Sequence, residues 1–132
     1  MWKETFHNIR LDESIKGYGH EDTLFGAHLK ANNIAIKHIN NPVQHDGIDT
    51  SEEFLRKTLI GVRNLSKLRK SGQITEGVRL LETYSSLASW GGHHLVYLFL
   101  KPMEGIIKRN ILGAQPKLLL FDLYKLMYLI QY

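Results

Sequence analysis

Thr50-Ser51-Glu52-Glu53-Phe54-Leu55-Arg56-Lys57-Thr58-Leu59-Ile60-Gly61-Val62-Arg63-Asn64-Leu65-Ser66-Lys67 is the stretch on which the fold turns. Leu55, Leu59, Val62 and Leu65 recur at three- and four-residue spacing, the signature of one buried helix face, while Arg56, Lys57, Arg63 and Lys67 fall mostly elsewhere. Thr50-Ser51-Glu52-Glu53 has the form of a capping box: the Thr50 hydroxyl can accept from the amide three residues on, and Glu53 can reach back. Ser71-Gly72 supplies the stop.

The same period continues toward the C-terminus. A second helix is predicted from about Thr75, with Val78, Leu81 and Leu87 turned inward and an end near Gly91-Gly92. A third runs from about His93 to Asn110 and is interrupted by Pro102, whose missing N–H and bulky ring predict a kink or a split. A fourth is predicted to open at Pro116, a favourable first helical residue, and to continue to the end. Toward the N-terminus the period shortens. Residues 33–39 set Ile34, Ile36 and His38 against Ala35, Lys37 and Ile39, and Asn40-Asn41-Pro42 closes the run, which predicts a strand in need of a sheet. Ahead of it, residues 21–31 predict a short helix with Leu24, Ala27 and Leu29 available for burial. The expected class is α+β, mostly helical: a small mixed front over residues 1–48, then a four-helix region over residues 49–132.

A chain 43% hydrophobic and 23% charged has the balance of a folded domain, and 132 residues suffice for a modest core. It has no cysteine, so neither a disulfide framework nor a thiolate zinc site is available. Residues 1–10 mix charge and aromatics without an apolar segment and do not read as a secretory signal. The net charge of +4 is unevenly spread: residues 1–50 hold five Lys/Arg against seven Asp/Glu, and residues 51–132 hold twelve against six. An acidic front thus precedes a basic, apolar back suited to a phosphate-rich partner.

The chemistry-bearing segment is Gly17-Tyr18-Gly19-His20-Glu21-Asp22-Thr23-Leu24-Phe25-Gly26, followed by residues 34–39 and by Asn41-Pro42-Val43-Gln44-His45. This arrangement resembles the G-Y-G-x-E-D block of family 2 glycosyltransferases of the GT-A fold, in which a Glu-Asp pair starts a helix and a strand and a late His follow. Leu11-Asp12-Glu13 resembles the F-D-E lead-in of such enzymes, with Leu in the aromatic position. The helical region, through Pro116 and Phe121-Asp122-Leu123-Tyr124-Lys125-Leu126, is similar to that of a subgroup from Bacteroides-type bacteria. The resemblance implies that the chain is the acceptor-side, C-terminal piece of an inverting glycosyltransferase, working in surface polysaccharide synthesis. Its substrates would be a nucleotide-sugar donor and a hydroxyl acceptor.

On that resemblance, Asp22 is the base that takes the acceptor proton and Glu21 positions the acceptor or orients the loop. Gly19 and His20 line the acceptor site, and His45 matches a late His close to the diphosphate or its metal. The alternative for the acidic pair is plain helix capping, since exposed amides and the dipole favour carboxylates there; for His45 it is a solvent-facing loop. The full-length enzyme would use a divalent metal, Mg or Mn, held by an Asp-x-Asp motif, and this sequence contains none. The chain alone is therefore expected to bind neither metal nor nucleotide-sugar and to be inactive. His7, His28 and His38 have no spacing partner for a metal, and His93-His94 would need further ligands.

Residues 95–100 are an unbroken apolar run, and residues 118–130 are interrupted only by Asp122 and Lys125. Neither reaches the roughly 18 apolar residues of a spanning helix. Two readings stand side by side: a helical core, or a basic amphipathic surface on anionic lipid. Nucleic acid fits poorly, because the cations are scattered among apolar residues. The expected location is cytoplasmic, with peripheral attachment to the inner face of the cytoplasmic membrane as the second option. The competing function is a non-enzymatic basic helical module that binds membranes or a partner.

Overall fold

The structure, a computed structural model, describes residues 18–44, 47–74 and 77–132. Helix α1 spans Glu21–Ala31, α2 Ser51–Lys70, α3 Arg79–Ala88, α4 Gly92–Leu100, α5 Glu104–Ile111 and α6 Leu118–Gln131, with a 3-10 turn over Lys101–Met103 between α4 and α5.

Helix α2 starts and stops where its end chemistry dictates. The Glu53 amide donates to Thr50 Oγ1 at 3.2 Å. The reciprocal half of the box is not made: Glu53 pairs with Arg56 instead, at 2.7 Å, because a bidentate guanidinium one turn away outcompetes a backbone amide. At the other end Gly72 takes a left-handed φ of +73°, its amide donates to the Arg69 carbonyl and the Gln73 amide donates to that of Leu68. This is a Schellman closure, in which a glycine escapes the Cβ penalty of the left-handed region.

Helix α6 is apolar on nearly every side, and such a helix belongs inside a bundle. It packs on α2, α3, α4 and α5. Its two charges, Asp122 and Lys125, pair with each other at 2.7 Å. Two clusters of buried side chains lie along it. One joins Leu24 of α1 to Val62, Leu65 and Leu68 of α2, Leu81 of α3 and Leu129 of α6; the other joins Leu55 of α2 to Leu100, Ile107, Ile111, Tyr124 and Met127. The Tyr128 hydroxyl donates to Glu104 at 2.5 Å, and Lys101 pairs with the same carboxylate at 2.8 Å, closing the α5–α6 seam with polar groups. Burial, then the bond to Glu104, raises the Tyr128 phenol above its ordinary 10.

Two expectations are corrected and a third is met. The strand over residues 33–39 is not formed: residues 34–44 are irregular, with Ile36 and Ile39 exposed, and among the described residues there is no strand. Strand geometry needs a neighbouring strand to take its backbone bonds, and these residues offer none; only the helical part of the α+β expectation is seen. Helix α6 opens at Leu118 rather than at Pro116, because Lys117 is extended (φ −92°, ψ 121°) and its amide is held by Asn110 Oδ1 at 3.0 Å. At Pro102 the predicted break is a split, into α4 and α5 with the 3-10 turn between them.

Candidate functional site

The segment that leads into α1 lies across the middle of α2. Gly19 has φ +99°, and a Cβ built there would stand 3.1 Å from the Cα of Gly61, so two glycines meet backbone to backbone. Asn64, one turn further along α2 and buried, donates its side-chain amide to the Tyr18 carbonyl at 3.3 Å. Leu24 then enters the core beside Val62 and Leu65, fixing α1 to the same face of α2.

His20 occupies the N-cap position of α1 in a left-handed conformation (φ +76°) and makes no side-chain cap. Other groups satisfy the loop. Both oxygens of Glu21 accept from the Gly19 amide, at 3.2 and 3.1 Å. Asp22 Oδ1 accepts from the Thr23 amide at 2.7 Å, and the Thr23 hydroxyl lies 3.3 Å from His20 Nδ1. Burial lowers the pKa of His20 from its ordinary 6.5, against the opposing pull of Asp22 and then Glu21. The imidazole is therefore neutral at neutral pH, a hydrogen-bonding group rather than a cation.

The two carboxylates are thus placed differently. Glu21 is half-buried and turned back onto the loop; Asp22 is exposed at the start of the helix, and among the described residues it accepts only from Thr23. Gly19, His20, Glu21 and Asp22 form one compact turn. Gly17, the Leu11-Asp12-Glu13 lead-in and His45 lie outside the described residues. No group of three His, Asp or Glu among the described residues could hold a metal ion.

Tyr18 also borders a cleft of about 580 Å³ between the start of α2 and the start of α6, walled by Ile48, Phe54, Ile111, Leu118 and Phe121. The Phe54 and Phe121 rings stack 5.7 Å apart, and Lys57 is held over Tyr18 by its ion pair with Asp49 at 2.8 Å. Sequence reasoning did not find this cleft, whose walls are distant in the chain. The available signal was Phe54, a large apolar residue off the α2 stripe. The supporting pair Gly61 and Asn64 was likewise missed; a glycine mid-helix costs about 1 kcal/mol against alanine and commonly marks a close approach.

No family model, curated protein or solved structure matches the chain.

Proposed function

We propose that the turn containing Glu21 and Asp22 is the acceptor side of an inverting glycosyltransferase, and that this chain is one part of that enzyme. Asp22 takes the proton of an acceptor hydroxyl as its oxygen bonds to the anomeric carbon. The bond from that carbon to the nucleoside diphosphate breaks on the opposite face, and the diphosphate leaves with the electron pair. Glu21 holds the loop, and the neutral His20 with the Gly19 backbone lines the acceptor's place. Donor binding and any metal that neutralises the diphosphate belong to sequence beyond these residues.

The division of labour between two adjacent acids carries the reading. Glu21 turns both oxygens back onto the amide of the preceding glycine, whereas Asp22 faces solvent and, among the described residues, accepts only from the Thr23 amide and hydroxyl through Oδ1, leaving Oδ2 open. A base needs this access, since it must come within hydrogen-bond reach of the acceptor proton. Residues 35–39, which make no backbone bond to the described residues, would form an edge strand when completed by the donor-binding half. Synthesis of a surface polysaccharide from cytoplasmic nucleotide-sugars is the setting this reading implies.

Proton NMR of the product made by the complete enzyme tests the proposal. Transfer from a uridine or guanosine diphosphate sugar with inverted anomeric configuration is expected; a retained configuration would contradict it.

A further inference from the structure

Leu95, Leu98 and Phe99 lie on the open surface of α4, and no described helix is long and apolar enough to cross a membrane. Ile48, Phe54 and Leu118, exposed by 96, 52 and 73%, instead wall the concave cleft between the start of α2 and the start of α6. Its volume of about 580 Å³ suits a small ligand, and most of its wall is apolar. The walls are fixed before anything enters. Phe121 packs on the cluster around Tyr124 and Met127 and stacks on Phe54; the Lys117 amide is tied to Asn110, and the Tyr18 carbonyl to Asn64 of α2. A preformed cleft loses little entropy on filling, so apolar contact there converts into affinity.

The charges at the cleft narrow its occupant. Asp49 and Lys117 are the charged residues of its wall. Both oxygens of Asp49 accept from Lys57 Nζ, at 2.8 and 2.9 Å, so the acid is already neutralised. Lys117 has no ion pair among the described residues, which leaves its ammonium as the uncompensated charge of the wall. A cationic ligand is disfavoured further, because the ring of Tyr18 already faces Lys57 at 5.7 Å and that of Phe121 faces Lys125 at 4.6 Å. One cation balances one carboxylate. A phosphate monoester carries about −1.5 to −2 at neutral pH, and part of that charge would stay unpaired.

We propose that this cleft binds one medium-chain alkyl carboxylate, its chain lying against Ile48, Phe54, Leu118 and Phe121 and its head at Lys117. The inference is independent of the role of Asp22, because binding requires no turnover.

Titration calorimetry and amide NMR of the 132-residue chain with octanoate, decanoate, decanol, decyl phosphate and decyltrimethylammonium, all below micelle formation, test it. Decanoate is expected to bind at one site, with amide shifts gathered at Gly47, Ile48 and Leu118. Each buried methylene gains about fourfold, so decanoate should bind about 15-fold tighter than octanoate. Lys117→Met keeps the apolar stem and should weaken decanoate about fivefold, the upper range for an exposed ion pair, with decanol unchanged. Leu118→Glu sets a negative charge in the wall and should abolish decanoate binding with the melting temperature unchanged, since Leu118 is largely exposed. Decanoate that does not saturate, or that binds no better than decanol or the ammonium, would overturn the proposal, as would tighter binding of decyl phosphate. So would shifts confined to other residues, or a dimer in light scattering that Leu118→Glu dissolves, which would assign the cleft to a second copy.

Discussion

Gly19 and Gly61 touch, yet alanine at the two positions should shift stability in opposite directions. A methyl at Gly19 meets backbone, the Gly61 Cα at 3.1 Å, and must also adopt φ +99°. The left-handed backbone costs a non-glycine residue about 1–2 kcal/mol, and crowding against an atom that cannot move away adds about 1 kcal/mol more. Gly19→Ala should therefore cost about 2–3 kcal/mol. The loss reaches the whole domain because the loop carries Leu24 into the core. A methyl at Gly61 finds the Tyr18 carbonyl oxygen at 3.8 Å and His20 Cδ2 at 4.0 Å, ordinary van der Waals separations, and sits in the middle of α2. Removing a mid-helix glycine gains about 1 kcal/mol. For a domain of this size 1 kcal/mol corresponds to roughly 4 °C in Tm. Thermal and urea melts followed by circular dichroism should thus show Gly19→Ala about 10 °C below the parent and Gly61→Ala about 4 °C above it. Gly19→Ala melting with the parent, or Gly61→Ala melting below it, would refute the docking of the loop on α2.

Two further expectations concern titration. Lys101, then the Tyr128 hydroxyl, holds the Glu104 carboxyl below its ordinary 4.5, so the stability it contributes is present above that value and lost as pH falls through the lowered one. Tyr128→Phe should cost about 1 kcal/mol at neutral pH, and the difference should close in melts taken as acid protonates Glu104. Burial likewise lowers the His20 pKa below 6.5, so stability tied to the neutral ring is present above 6.5 and lost as pH falls through the lowered value. His20→Asn, which keeps a residue tolerant of the left-handed region, should flatten this part of the stability–pH curve in urea titrations.

Much of the helical frame was legible because its signals are local. The Leu55-Leu59-Val62-Leu65 stripe, the Thr50 cap and the Gly72 stop describe α2 nearly to the residue, and Pro102 marks the break between α4 and α5. Where the outcome depended on a distant group, reading along the chain failed. The Asn110 side chain decides that α6 begins after Lys117, although Pro116 alone suggested an earlier start. Residues 33–39 have a strand's alternation but no partner, and alternation without a ladder does not hold a strand. At the candidate site the sequence singled out Glu21 and Asp22 as a pair. Their different placements follow from the turn at Gly19, which depends on Gly61 and Asn64 more than forty residues away. The exposed side chains of α4, Leu95, Leu98 and Phe99, lay within an apolar run that read equally well as core.

The most direct test of the account is to measure turnover and melting temperature together for Asp22→Asn and Glu21→Gln, in the complete enzyme and in this chain respectively. Asp22→Asn keeps the shape of an exposed side chain and an oxygen for the Thr23 amide, but it cannot take a proton. Turnover should fall by about two to four orders of magnitude, with donor affinity and Tm little changed. Glu21→Gln weakens the charge-assisted bond to the Gly19 amide and should lower Tm by several degrees, about 1 kcal/mol. Near-normal turnover in Asp22→Asn, with a drop in Tm matching that of Glu21→Gln, would show instead that both acids only cap α1.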